Sequence, residues 1–121
     1  FIDYGHATPR TGSTFQAVRR HKKTDPFAEP GTADLTAHVD FALLAQVAQS
    51  RDARWLGIVS QRDWLRALGI EGRAEALSEF APQHREALHS AMHRLTDPSQ
   101  MGELFKVMGL AAPGWPDPVG F

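Results

Sequence analysis

The chain has 121 residues, of which 42% are hydrophobic and 22% charged, a composition typical of at most one globular domain. Thirteen basic side chains face fourteen acidic ones, and the net charge of -1 predicts no general attraction to nucleic acid or to an anionic membrane. The lack of cysteine excludes disulfides, a thiol nucleophile and thiolate metal ligands, and favours a reducing compartment, by default the cytoplasm. No apolar stretch approaches the roughly 20 residues of a membrane span, and no signal peptide is recognisable.

The first six residues read as a buried parallel strand that delivers polar side chains to the carboxyl edge of an α/β sheet. An apolar pair is followed by Asp3, Tyr4, Gly5 and His6. Open α/β sheets bind ligands at this edge, so these side chains are candidates for a ligand site. Hydrogen bonds that merely end the strand are the alternative. Because the chain starts within a strand, we expect further strands of the sheet to precede it.

Residues 7–33 are rich in Gly, Pro, Thr and charge, which predicts an extended excursion with one short strand at residues 14–18. Long loops in compact domains are usually functional. This one holds the only charge run, Arg-Arg-His-Lys-Lys at residues 19–23, which could bind phosphate, RNA or an acidic partner. We favour a solvated loop, because aromatic side chains for base stacking do not alternate with the cations.

A strand, a helix and a second strand are predicted next. Weak alternation over residues 34–39 precedes Asp40, which can cap a helix whose apolar residues recur at helical spacing from Phe41. Residues 54–59 form the following strand. His38 and Asp40 would lie at the sheet edge, the carboxylate capping the helix and the imidazole facing whatever the edge binds.

The second half is predicted to be mainly helical. Ser60 and Asp63 resemble a capping box, and the helix they open would stop at Gly69. A short helix, a helix with proline in its first turn, a new cap, a final strand and an irregular tail follow. They correspond to residues 72–80, residues 82–95, Asp97-Pro98, residues 104–108 and residues 111–121.

Three familiar kinds of site find little support. His89 and His93 have the spacing of a metal pair, but the glutamate of a zinc-protease helix is absent, so we interpret them as surface residues and expect no metal. No serine lies in a Gly-x-Ser-x-Gly elbow, and the glycines form no phosphate-binding loop.

Several stretches recur, in this order, in one protein family. The most specific is Ala-Asp-Leu-Thr-Ala-His-Val-Asp-Phe at residues 33–41. The others are residues 2–5, residues 14–21, Asp25-Pro26 with Pro30-Gly31, Leu65 with residues 68–70, residues 94–96, Met101-Gly102 and residues 105–107. On these residues the chain resembles the MidA-type S-adenosylmethionine-dependent methyltransferases, which include the mitochondrial assembly factor of respiratory complex I.

The resemblance implies an α/β class, the class I Rossmann-like methyltransferase fold, whose seven-stranded sheet is mostly parallel. This chain would supply the C-terminal part, strands 5 to 7 with a helical insertion. Residues 1–110 would belong to the methyltransferase domain, with the insertion at residues 60–100, and residues 111–121 would be an irregular tail. The seventh strand, residues 103–110, is expected to run antiparallel between its neighbours.

The resemblance also implies methyl transfer from S-adenosylmethionine, with an arginine of a complex I subunit as the acceptor in the mitochondrial relatives. Carboxylates can orient a guanidinium bidentately. We therefore assign catalytic roles to Asp3, His38 and Asp40 from their positions. Substrate binding is assigned to Tyr4, Gly5 and His6.

The family's glycine-rich cofactor loop is absent from this sequence, and the cofactor-binding residues are expected upstream of residue 1. The chain alone should then be inactive, and its expected partners are the upstream half of its own fold, a protein substrate and a second copy in a homodimer. Neither nucleic acid nor membrane is expected, and the compartment would be bacterial cytoplasm or mitochondrial matrix. The alternative is a non-catalytic, truncated relative that acts as a protein-interaction module.

Overall fold

The chain forms seven strands, five α-helices and one 3₁₀ helix, and the computed structural model describes all of residues 1–121. The strands are β1 (Ile2–His6), β2 (Gln16–Arg19), β3 (Lys22–Thr24), β4 (Asp34–Thr36), β5 (Val39–Asp40), β6 (Arg54–Ser60) and β7 (Phe105–Ala111). The helices are α1 (Phe41–Gln49), α2 (Gln61–Ala67), α3 (Ile70–Phe80), α4 (Arg85–Thr96) and α5 (Met101–Leu104), with the 3₁₀ helix at Pro82–His84. No helix has both the length and the apolar character that crossing a membrane would need.

The larger sheet has four strands in the order β5-β1-β7-β6. Strand β7 is antiparallel to both β1 and β6, whereas β5 is parallel to β1. The last strand therefore lies antiparallel between its neighbours, as the family resemblance predicts. The predicted first strand of the strand-helix-strand unit, residues 34–39, is divided: residues 34–36 form β4 of a smaller sheet, and only Val39 with Asp40 joins the large sheet as β5. Strands β5 and β6 then occupy the two outer positions of the large sheet.

The core lies between α1 and the sheet. Phe41, Ala45 and Ala48 form its helical face, and Met108 of β7 meets them from the sheet side. The buried face of α1 is narrow, since Leu43 and Val47 remain 55% and 49% exposed. The helix packs mainly on β6 and β1, and its side with Leu43 and Val47 is left exposed.

The excursion over residues 7–33 contains more structure than predicted. Its strands β2 and β3 pair with β4, which directly follows the excursion, in a three-stranded antiparallel sheet of order β3-β2-β4. The basic run at residues 19–23 is thus a β-hairpin rather than the predicted loop, although its side chains are exposed to solvent as predicted. Backbone pairing holds this sheet together around one fully buried side chain, Ala17, so hydrophobic alternation gives little signal of it.

Residues 60–104 form the helical part. Ser60 caps α2 as predicted: its Oγ accepts a hydrogen bond from the Asp63 backbone N at 3.1 Å. The Asp63 carboxylate accepts from the Ser60 hydroxyl at 2.7 Å rather than from a backbone N–H. Gly69 follows α2 in the left-handed region, with φ of 78°, and ends that helix.

The predicted cap at Asp97 is wrong. Gln100 precedes α5, and no side-chain hydrogen bond caps that helix. The Asp97 carboxylate instead accepts from Ser99, whose backbone N lies 2.8 Å away. Because an aspartate can bond the backbone two residues ahead, it organises the turn before α5 instead of the helix itself.

Residues 112–121 contain no helix or strand, but they pack back on the fold. The Arg54 guanidinium contacts the Asp117 carboxylate and the Trp115 carbonyl. The Phe121 ring lies over Gly57 and Gly109, which are paired across β6 and β7. Strand β7 itself runs through Ala111, one residue into the predicted tail.

Candidate functional site

Four of the six predicted site residues gather where β1 ends beside β5. The parallel pairing places Gly5 opposite Val39 and His6 opposite Asp40. This is the carboxyl edge of the parallel pair, the edge at which open α/β sheets bind ligands. We call Tyr4, His6, His38 and Asp40 the strand-end cluster.

Aromatic rings form one wall of the strand-end cluster. The Tyr4 ring meets the His38 ring edge to face, with centroids 5.6 Å apart. On its other side it meets Phe105 of β7 in the same way, at 5.7 Å. His38 is held from outside the sheet, because its backbone N donates to Thr14 Oγ1 at 2.9 Å. The wall is therefore built from four separate parts of the chain.

His6 and Asp40 form the polar side of the cluster. His6 Nδ1 lies 2.9 Å from the Thr8 carbonyl oxygen. A carbonyl only accepts, so Nδ1 donates and Nε2 is the proton acceptor of the neutral ring. The same Nδ1 lies 3.9 Å from Asp40 Oδ1, too far for a hydrogen bond but close enough for an ion pair once the ring is protonated.

Asp40 has one oxygen engaged and one free. Its Oδ1 accepts from the Leu43 backbone N at 2.9 Å, which confirms the predicted cap of α1. The side chain is 44% exposed, and Oδ2 accepts no hydrogen bond from the chain. The cap thus fixes the carboxylate while leaving one oxygen for a ligand, so capping and binding are compatible roles.

Asp3 does not join the cluster. It pairs with Lys106 across β1 and β7, whereas Tyr4 pairs with Phe105 on the opposite face of the sheet. The Asp3 carboxylate accepts from the Tyr4 backbone N at 2.8 Å. The expected convergence of a carboxylate, a phenol and an imidazole from β1 therefore loses its carboxylate, and Asp40 supplies one from β5 instead.

Gly5 allows close packing at this edge. A Cβ there would collide with the Val39 carbonyl oxygen and come within 2.8 Å of the Phe41 ring. Its α-carbon faces the core, so any contact with a substrate would involve its backbone alone. The substrate-binding role assigned to Gly5 stays a prediction.

Sequence reasoning missed the surroundings of the cluster. A cleft of about 290 Å³ next to His38 is lined by Arg10, Phe15 and Lys23 among others. No sequence signal connects these positions, because the small β2-β3-β4 sheet brings them together. Thr14 and Phe105 lie in stretches that carry the family resemblance, but nothing in the sequence indicates that they contact the cluster.

The clefts next to the cluster differ in character from the glycine-rich loop that the resemblance leads us to expect around S-adenosylmethionine. The clefts around the cluster and the small sheet are lined mainly by basic and polar side chains, and no glycine-rich loop borders them. No group of three or more His, Asp or Glu side chains is arranged to hold a metal ion. The arrangement instead suits a planar cation, which aromatic rings can flank and a carboxylate can pair with.

Comparison with known proteins gives the same family as the sequence motifs. Residues 1–59 match the model of an S-adenosyl-L-methionine-dependent methyltransferase family. The chain is 42% identical over 111 residues to a Drosophila melanogaster protein named as the mitochondrial protein arginine methyltransferase NDUFAF7 homolog. It is 39% identical over 110 residues to the human protein arginine methyltransferase NDUFAF7.

Two solved structures from Burkholderia thailandensis share the fold. One, bound to S-adenosyl-homocysteine, superposes with a TM-score of 0.86 at 31% identity and covers 99% of this chain. The other, a native crystal structure of the same superfamily, has a TM-score of 0.83 at 33% identity and covers 92%.

The matches cover most of this chain but only part of each relative. The alignment takes in 90% of the chain and 25% of the Drosophila protein, and 89% and 24% for the human one. It covers about a third of each bacterial structure. The chain thus corresponds to a part of these proteins, with the α/β fold expected of the C-terminal part of a class I methyltransferase. Over nearly its whole length it is similar in sequence and fold to S-adenosylmethionine-dependent methyltransferases, in agreement with the MidA-type resemblance of its motifs.

Proposed function

We propose that the complete protein containing these residues methylates an arginine of a protein substrate, and that the strand-end cluster holds the guanidinium. The printed names of the curated relatives support arginine as the acceptor, and the bacterial neighbour bound to S-adenosyl-homocysteine supports the methyl donor. The observation that carries the proposal is the free Asp40 Oδ2 beside an aromatic wall at the sheet edge.

A guanidinium is a planar cation that stacks on rings and donates to carboxylate oxygens along fixed directions. Tyr4 and Phe105 offer ring surfaces, and Asp40 offers an oxygen whose position the α1 cap fixes. Such positioning reduces the number of orientations the acceptor nitrogen can take, which is a major source of rate enhancement.

An arginine nitrogen gives up a proton when it gains a methyl group. His6 Nε2 is available to accept one, because Nδ1 is committed to the Thr8 carbonyl. Protonation would bring the ring into an ion pair with Asp40, 3.9 Å away. His38 is held by its backbone and by contact with Tyr4, so in this scheme it shapes and orients the site.

The remaining parts of the proposal concern the rest of the protein. We place the cofactor mainly on residues outside this chain, since its own clefts do not suit it and the chain spans only a quarter of the curated relatives. Because the chain spans only this part of the relatives, we also propose that it packs against the upstream half of the fold. A complex I subunit as substrate, a homodimer, and a mitochondrial or bacterial cytoplasmic location belong to the proposal as well.

Substitutions at Asp40 test the cluster. Asparagine is a good helix cap but a neutral one, so Asp40→Asn keeps α1 and removes the charge. In the complete protein we expect methyl transfer to an arginine-containing protein to fall roughly 100-fold, with S-adenosylmethionine affinity unchanged by calorimetry. Asp40→Ala should show the same loss of transfer plus about 1 kcal/mol of lost stability.

The matched control is Ser60→Ala, which removes the cap of a different helix and should lower stability without affecting transfer by stable molecules. Full activity in Asp40→Asn would overturn the assignment of the cluster. A complete protein that is folded and binds S-adenosylmethionine but methylates no arginine would overturn the proposed function. A folded complete protein that neither binds S-adenosylmethionine nor methylates arginine would favour the interaction-module alternative.

A further inference from the structure

The basic hairpin at residues 19–23 has no role in the proposed arginine site. Arg10, Arg20, Lys22 and Lys23 are exposed, and none of them forms an ion pair. Arg19 is the exception, since its guanidinium contacts Glu29. We call Arg10, Arg20, Lys22 and Lys23 the basic strip.

The residues of the hairpin conflict with the usual preferences for cross-strand pairs and for two-residue turns. Arg19 and Lys22 lie directly opposite each other across β2 and β3, a like-charge pair whose repulsion the contact between Arg19 and Glu29 offsets only in part. The two turn residues, Arg20 and His21, have φ of 50° and 62°, a region that a two-residue turn normally fills with Asn and Gly. Strain and repulsion concentrated at one turn favour a functional role for its charges.

The strip is continuous with the candidate site. Lys23 lines a cleft of about 560 Å³ at the hairpin, together with Arg20 and Lys22. It also lines the smaller cleft beside His38, which includes Arg10. A polypeptide whose arginine lay in the strand-end cluster could therefore continue directly across the cations.

We propose that the basic strip docks acidic residues that flank the target arginine of the protein substrate. The inference rests on the proposed function, which makes the ligand a polypeptide. A peptide fits better than a nucleic acid, because the hairpin interleaves no ring with its cations, and the nearest aromatic side chains, Phe15 and Phe27, pack against each other. Lysines on the edge strand β3 could otherwise serve only to discourage strand pairing.

Two dye-labelled peptides test the strip in the complete protein. Both contain one arginine, flanked in one by Asp and Glu and in the other by Asn and Gln. Binding is followed by anisotropy at low and high salt, and methyl transfer is followed separately. We expect tighter, salt-sensitive binding and a lower KM for the acidic peptide, with equal kcat.

The double variant Arg20→Gln/Lys23→Gln should bind the acidic peptide at least about threefold more weakly and leave the neutral peptide unaffected. Charge-retaining Lys22→Arg and Lys23→Arg should bind as the wild type does. The matched control, Arg73→Gln/Arg85→Gln, removes two exposed cations from α3 and α4 and should change nothing.

Variants of the turn residues provide a second test, because stability and acidic-peptide binding should change in opposite directions. Arg20→Asn/His21→Gly supplies the preferred turn residues, so it should raise stability while weakening acidic-peptide binding. His21→Gly alone keeps every cation and should raise stability without loss of binding. A purely structural hairpin would show the gain in stability and no change in binding.

The outcomes separate the two proposals. Equal binding of both peptides, or binding unaffected by the hairpin variants, would overturn the docking strip even if both were methylated. Hairpin-dependent binding of the acidic peptide without any methylation would overturn the proposed function and support the strip. Tighter hairpin-dependent binding of a single-stranded oligonucleotide than of the acidic peptide would overturn the strip in favour of a nucleic-acid site.

Discussion

Gly109 lies directly beneath the ring of Phe121, so closely that a Cβ at position 109 would come within 3.0 Å of three ring carbons. The facing residue on β6 is another glycine, Gly57, and the pair leaves a slot in the sheet surface that the ring occupies. The irregular tail is therefore held in place by a specific contact.

A side chain at position 109 should loosen this contact. In the complete protein, Gly109→Ala forces the Phe121 ring outward, and we expect a loss of about 1–2 kcal/mol in unfolding free energy. Phe121→Ala should cost a similar amount through lost apolar contact. Because both changes remove one interaction, the double variant should be little worse than either single variant when measured by urea denaturation.

Gly72→Ala is the control, because nothing lies within 4 Å of that position and alanine favours a helix. It should leave stability unchanged or slightly higher. Protease cleavage within the exposed residues 112–119 should rise in Gly109→Ala and not in the control. Additive losses in the double variant would show that the glycine and the ring act independently.

Alanine should be tolerated less well at Gly102 than at Gly109. A Cβ there would lie 2.6 Å from the Thr96 carbonyl carbon and 2.8 Å from the Asp97 carbonyl oxygen, both backbone atoms that cannot swing aside. We expect Gly102→Ala to cost about 1–3 kcal/mol, measured as a lower midpoint of chemical denaturation. An unchanged midpoint would mean that the turn before α5 is free to shift.

The cap of α2 should contribute measurably. Ser60 is buried, and its hydroxyl exchanges two hydrogen bonds with Asp63. Ser60→Ala should lower the free energy of unfolding by about 1 kcal/mol, and Ser60→Thr should keep most of the stabilisation. Ser50→Ala is the comparison, because its exposed hydroxyl bonds only the Val47 carbonyl and should matter less.

The sequence predicts the elements that bury apolar residues at regular spacing. Helix α1 and strand β6 follow from such patterns, and the Asp40 and Ser60 caps follow from residue type. The position of His38 and Asp40 beside β1 also follows from the rule that ligand sites lie at the carboxyl edge of parallel strands.

The other parts of the fold and of the candidate site depend on pairing between segments that are distant in the sequence. Strand β3 is short and polar, so backbone hydrogen bonds rather than periodicity define it. The alternation over residues 34–39 does not reveal that residues 34–36 pair with β2 as β4. Strand alternation by itself places Asp3 on the face of β1 opposite to Tyr4 and His6, so their convergence does not follow from the sequence. The catalytic role of Asp3 stays a prediction. The cleft between Lys23 and His38 exists only in the folded chain.

Asp97 should make stability sensitive to acid. Hydrogen bonds from the Ser99 hydroxyl and backbone N, helped by His93 and Arg62, lower the pKa of the Asp97 carboxyl in the folded state. The folded protein then holds this proton less tightly than the unfolded chain. The associated stability is fully present above the ordinary aspartate pKa of about 3.9, and it is lost as pH falls through the folded-state value.

Asp97→Asn keeps an oxygen for the Ser99 donors but removes the charge, so it isolates this effect. We expect the variant to be less stable than the wild type at neutral pH, with the difference shrinking as the pH is lowered below the ordinary aspartate pKa. Ser99→Ala removes the leading cause of the shift and should raise the pKa of Asp97 towards its ordinary value. Urea denaturation across the acidic range measures both, and a difference that stays constant with pH would show that the charge contributes nothing.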